Sequence, residues 1–150
     1  MIGSDDDVVL FDTNILVYAR DLESPNYQKA KELQDAVNEG VLNAVITPQN
    51  LLEFYSVITN QAKSKKADSP KEAIVEIKKY LISPFEVMVP LGNELEIVLR
   101  LIKDKNLRGR KIFDVYLVAT MLSNGIKTIY TANERDFEMF GEIKVVNPFK

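Results

Sequence analysis

The sequence predicts an α/β domain, a central parallel β-sheet covered by helices on both faces. Three observations carry this expectation. Short apolar runs rich in β-branched and aromatic residues alternate with longer segments of helical periodicity. Most of those runs are continuously apolar, as in strands buried on both faces. Ser-Pro, Thr-Pro and Gly punctuate the intervals, as they do at helix starts and stops. With 150 residues, 46% of them hydrophobic, the chain has the length and content of one ordinary domain, expected to span 1–150. The opening "MIGSDDD" reads as a solvated tail.

"VVLF" (Val8 to Phe11) is the first strand, followed by a helical stretch "NILVYARDL" for which Asn14 is a plausible N-cap. "SPNYQKAKELQDAVNEG" is a second helix, with Ser24 as cap, Pro25 at its first position and Gly40 at its end. Tyr27, Ala30, Leu33 and Val37 give it one apolar face. "NAVITP" is a strand, and Thr47-Pro48 opens a third helix, "PQNLLEFYSVITNQAKSK". "SPKEAIVEIKKYL" is the fourth helix and "FEVMVP" the third strand. "GNELEIVLRLIKDKNL" follows as a helix with Leu95, Val98, Leu99 and Ile102 on one face, and Gly109 breaks it. "KIFDVYLVATMLSNG" is apolar nearly all round and reads as a central, buried helix. "IKTIYTA" is a strand, "NERDFEMFG" a short helix and "IKVVNP" the last strand.

The chain has no cysteine, histidine or tryptophan. Disulfide frameworks, thiolate nucleophiles, Ser-His-Asp triads and Cys/His zinc sites are therefore excluded. Carboxylate oxygens remain, and they suit hard cations such as Mg²⁺ and Mn²⁺. No apolar run approaches the roughly 20 residues of a membrane span, and the N-terminus lacks the pattern of a signal peptide. A cytoplasmic protein is the expectation.

Most of the 22 acidic residues fall on solvated helix faces, but four do not. Asp12 directly follows the first strand, where parallel sheets bind ligands and where a helix cap is equally at home. Glu53 lies within "LLEFYSVI", and its side carries only the uncharged Gln49, Asn50, Ser56 and Asn60. Asp114 shares a helix stripe with Leu117, Val118 and Met121, although a wet first-turn acid would also stabilise that helix end. Asp136 follows the fourth strand, with Asn133 three residues before it in capping-box spacing. Carboxylates that converge repel one another, and a divalent cation is the economical way to keep them ionised together.

These residues resemble the PIN-domain ribonucleases, in particular the VapC-like toxins of prokaryotic type II toxin–antitoxin pairs. The resemblance covers nearly the whole chain and rests on "VVLFDTNILVYA", "TPQNLLEFYSVIT", "IFDVYLVATMLSNGI" and "IYTANERDF" followed by "VVNP", in that order. It implies a three-layer α/β/α PIN-like fold and Mg²⁺- or Mn²⁺-dependent endonucleolytic cleavage of RNA. It also implies a homodimer and a small antitoxin protein that inserts into the active-site groove. Asp12, Glu53 and Asp114 match the family's first three acids. The fourth acid often stands where this chain has Asn133, with Asp136 the nearest carboxylate. Thr13, Asn14 and Thr131 match small polar positions that line the site in relatives.

The net charge of −3 is low for a nucleic-acid binder, so RNA contacts need a local basic patch. "RGRK" (Arg108, Arg110, Lys111), immediately before Asp114, is the expected one, whereas "KSKK" (Lys63, Lys65, Lys66) reads as a solvated run. Two further readings stand beside the toxin: an RNA-processing nuclease of the same fold, and a non-catalytic metal- or RNA-binding module. An aspartyl-phosphate phosphohydrolase is disfavoured because Asn14 stands where a second aspartate is needed.

Overall fold

The structure is a computed structural model that describes residues 8–63 and 66–150. The N-terminal tail and Lys65 of the "KSKK" run lie outside the described residues. Five short parallel strands form one sheet: β1 (Val9–Phe11), β2 (Ala44–Ile46), β3 (Glu86–Val87), β4 (Thr128–Tyr130) and β5 (Lys144–Val146). Among the described residues six α-helices lie between β1 and β4: α1 (Thr13–Tyr18), α2 (Tyr27–Asn38), α3 (Pro48–Ile58), α4 (Pro70–Leu81), α5 (Glu94–Ile102) and α6 (Lys111–Ser123). The strand order is β3-β2-β1-β4-β5. The chain winds outward from β1 through β2 to β3, then returns to the other side of β1 to place β4.

That reversal sorts the helices into layers. Successive crossovers of one hand put α1 to α4 on one face and α5 and α6 on the other. The cores follow the pleat of β1. Val9 and Phe11 point into a cluster with Ile15, Leu16, Ala30, Val37, Phe54 and Tyr80. Leu10 points the opposite way, to Val98, Leu101, Val118, Met121, Ile129 and Phe137. The expected α/β/α layering is thus present, with each expected strand found at its place along the chain.

Several boundaries and faces differ from the expectation. Asp12, not Asn14, is the N-cap of α1, and α1 ends at Tyr18 rather than Leu22. Ser24 does not cap α2, because its hydroxyl accepts from Asn26 N–H in a turn that carries Pro25 ahead of the helix. Helix α3 stops at Ile58, where Asp68 N–H bonds the Ile58 carbonyl. Helix α5 ends at Ile102, well before Gly109, and buries Ile97, Val98 and Leu101 while Leu95 and Leu99 are exposed. Its apolar positions outnumber those one face can hold, so spacing alone chose the wrong leucines. Helix α6 is not buried all round, since Ile112, Phe113 and Tyr116 face outward. "NERDF" forms a 3-10 turn over Glu134–Asp136 rather than a helix, and Asn133 makes no side-chain cap bond to it.

Candidate active site

In an open parallel sheet, the crevice at the strands' carboxyl ends opens where the strand order reverses. Here that point lies between β1 and β4. Asp12 leaves β1 there and Thr131 leaves β4, and the Thr131 hydroxyl donates to Asp12 Oδ2 at 2.8 Å. The backbone joins the same ends, with Asp12 N–H bonded to the Tyr130 carbonyl at 3.0 Å.

Asp12 therefore caps α1 and at the same time lines the crevice between β1 and β4. Its Oδ1 accepts from Thr13 N–H at 2.8 Å, and its Oδ2 accepts from the Asn14 amide at 3.2 Å as well as from Thr131. Asn14 also bonds Thr131 Oγ1 and accepts from Ala132 N–H, which fixes its amide between the two strand ends. Three donors would normally favour the ionised form, but burial outweighs them. Burial, with the nearby charges of Glu53 and Asp114 adding to it, raises the Asp12 carboxyl to about 6.

Glu53 comes from α3. Thr47 and Asn50 form a reciprocal capping box at the start of that helix, and Pro48 occupies its first turn. Asn50, fully buried, extends its amide to Thr13 Oγ1 at 3.2 Å. Thr13 in turn donates to Glu53 Oε2 at 2.9 Å. Gln49 donates to Glu53 Oε1 at 3.1 Å and to the Phe113 carbonyl at 2.9 Å, linking α3 to α6. Of the uncharged polar face around Glu53, Gln49 thus holds the carboxylate directly and Asn50 acts on it through Thr13.

Asp114 is half-buried on the first turn of α6, and its stripe partners Leu117, Val118 and Met121 are in the core. Burial raises its carboxyl; the Lys111 ammonium pulls it down, and Asp136 and Glu53 push it up. Asp114 thus feels the charges of Asp136 and Glu53, and its own charge acts on Asp12. Asp136 does not close a capping box with Asn133; it accepts from Lys111 Nζ at 3.2 Å. Asn133 is exposed; its backbone N–H donates to Thr131 Oγ1 at 3.0 Å and its carbonyl accepts from Asp136 N–H at 3.1 Å.

The basic residues are distributed unevenly. Lys111 bridges Asp114 and Asp136, at 3.3 and 3.2 Å. Arg110 lines an open groove with Glu53, Leu52, Phe113 and Tyr116. Arg108 is exposed and bonds Asn106. Lys63 and Lys66 lie on a different groove with Asp68 and Val57, away from the acids. The position of Lys111 against Asp136 was not readable, since that pair is 25 residues apart.

The donor set is all oxygen and suits a hard cation. A cation is already drawn to it, because the Lys111 ammonium sits between two of its carboxylates. Among the described residues, however, no three acids close on one point as a finished metal cage.

Comparison with known proteins agrees with this geometry. The PIN domain family model matches residues 9–143. Ribonuclease VapC48 of Mycobacterium tuberculosis is 30% identical over 140 residues, which cover 93% of this chain and 96% of that protein. Among solved structures, VapBC2 from Rickettsia felis bound to a DNA fragment from its promoter aligns with TM-score 0.65 at 19% identity, covering 93% of this chain and 98% of that one. A toxin–antitoxin complex from Klebsiella pneumoniae aligns with TM-score 0.59 at 19% identity, covering 93% and 97%. The chain belongs to the PIN-domain family, with a VapC ribonuclease among its relatives.

Proposed function

We propose that this chain is a Mg²⁺- or Mn²⁺-dependent endoribonuclease, the toxin of a toxin–antitoxin pair. The observation that carries the proposal is Asp12, a partly buried carboxylate bonded across the β1–β4 crevice to Thr131 and beside the charges of Glu53 and Asp114, in a PIN-family chain with a ribonuclease relative. Asp12 and Asp114, with Glu53 beside them, would hold the cation, and Asp136 would contribute from the rim. When bound, the cation supplies activation of water and stabilisation of charge on the phosphate and leaving oxygen.

The chain's own residues prepare that chemistry. Thr13 N–H, Asn14 and Thr131 fix both oxygens of Asp12. Thr13 and Gln49 fix those of Glu53. Arg110, on the groove beside Glu53, supplies positive charge for the RNA backbone. That groove, about 500 Å³ and lined by Leu52, Pro90, Phe113 and Tyr116, is an apolar seat beside the acids for the antitoxin. The exposed Leu91, Leu95 and Leu99 are the surface we assign to a homodimer.

The test is incubation of purified protein with total RNA in Mg²⁺ or Mn²⁺, with an EDTA control. Discrete metal-dependent cleavage that EDTA abolishes is the expected result. Intact RNA under every condition would leave a binding module instead. Inhibition by the product of an adjacent small reading frame would separate a toxin from a processing nuclease.

A further inference from the structure

We propose that Lys111 is a built-in counter-ion of the acidic site, which must leave the cluster when a divalent cation loads and is then presented to the substrate. The proposal rests on the cation-binding reading above and concerns how that site is regulated. Lys111 opens α6 one turn before Asp114, and its ammonium lies 3.3 Å from Asp114 Oδ2 and 3.2 Å from Asp136 Oδ1. Its side chain is 22% exposed, against 40%, 65% and 76% for the lysines of the other ion pairs among the described residues. Lysine normally keeps its head in water, so a mostly covered side chain whose ammonium lies between two carboxylates marks a charge held in place.

The placement has a consequence for loading. Lys111 pairs with Asp114, whose carboxylate also feels the charge of Glu53, and with Asp136. A dication on Asp114 would meet the Lys111 charge at ion-pair distance, and the like charges repel, which favours release of the lysine. The four-carbon stem of lysine gives the displaced ammonium a range of positions, and a phosphate oxygen arriving at the site is its natural new partner. Without cation, Lys111 holds Asp114 and Asp136 together. With cation, it becomes a substrate contact. Removal of Lys111 should on this account strengthen cation binding.

The test is Mn²⁺ affinity by isothermal titration calorimetry on the full chain, without RNA. Lys111→Met and Lys111→Gln should each bind Mn²⁺ about tenfold more tightly than wild type. Lys111→Arg, which keeps the charge, should stay close to wild type. In EDTA, Lys111→Met should melt at a lower temperature than wild type, and Mn²⁺ should raise its melting temperature by more. A merely structural lysine would give weaker Mn²⁺ binding when removed, not tighter. Unchanged or weaker binding in both neutral variants, with wild type binding and Asp12→Asn not binding, would overturn the Lys111 proposal and leave the cation site standing. Absence of Mn²⁺ binding by every protein, wild type included, would overturn both.

Discussion

Asp12 sits where a carboxylate is hard to ionise, and the sign of its energetics separates function from stability. Its carboxyl is raised to about 6 by burial and by its acidic neighbours. Between about pH 4 and 6 the metal-free folded chain keeps a proton that the unfolded chain has released, so stability falls as pH rises through that window. Asp12→Asn should flatten this part of the profile and raise metal-free stability at pH 7, by up to about 3 kcal/mol. Chemical denaturation in EDTA at pH 4 and 7 checks it; a less stable variant at pH 7 would contradict it. Glu94 shows the reverse case. Burial works to raise it, yet hydrogen bonds from Ser123 and from Leu91 and Gly92 N–H hold it down at about 2. Its stabilisation is present above the usual carboxylate range and lost as pH falls through about 2. Glu94→Gln should therefore cost about 1–3 kcal/mol at neutral pH, with the difference closing in strong acid. Asp12 could be read from its place after an apolar strand. Glu94 could not, because its partner Ser123 is 29 residues away.

At the scale of elements, α3 connects local sequence to the site most directly. Thr47, Pro48 and Asn50 start the helix by its capping box, and the same Asn50 reaches Thr13, which orients Glu53. The Thr-Pro start was legible; the second use of Asn50 was not, because it depends on α1 packing against α3. Thr13→Val should leave the buried Asn50 amide and Glu53 without their shared partner. The expected loss is about 1–3 kcal/mol by denaturation, with slower RNA cleavage. Unaltered cleavage would show that Glu53 does not need this bond. Helices α5 and α6 show the limit of pattern reading. Both have more apolar positions than the core takes, and which of them point outward is decided by docking on the sheet and on each other. Leu95, Leu99 and Phe113 were consequently expected inside and are exposed.

For the molecule as a whole, the order of strands and helices was readable because each segment carries its own periodicity and punctuation. The strand order β3-β2-β1-β4-β5 was not, since no local signal records on which side of β1 the chain returns. Yet that return creates the crevice and brings Thr131 to Asp12 across 119 residues. The outward Leu95 and Leu99 lead to another expectation: light scattering should give twice the chain mass, and Leu95→Glu with Leu99→Glu should give the monomer. A wild-type monomer would contradict the dimer.

The central claim is that this crevice holds a cation for cutting RNA. It is tested most directly by the Mn²⁺-dependent cleavage rate of Asp12→Asn beside wild type, both shown to be folded. A variant at least as stable as wild type in EDTA, with cleavage reduced by two or more orders of magnitude, is the predicted result. Wild-type cleavage by folded Asp12→Asn would contradict it.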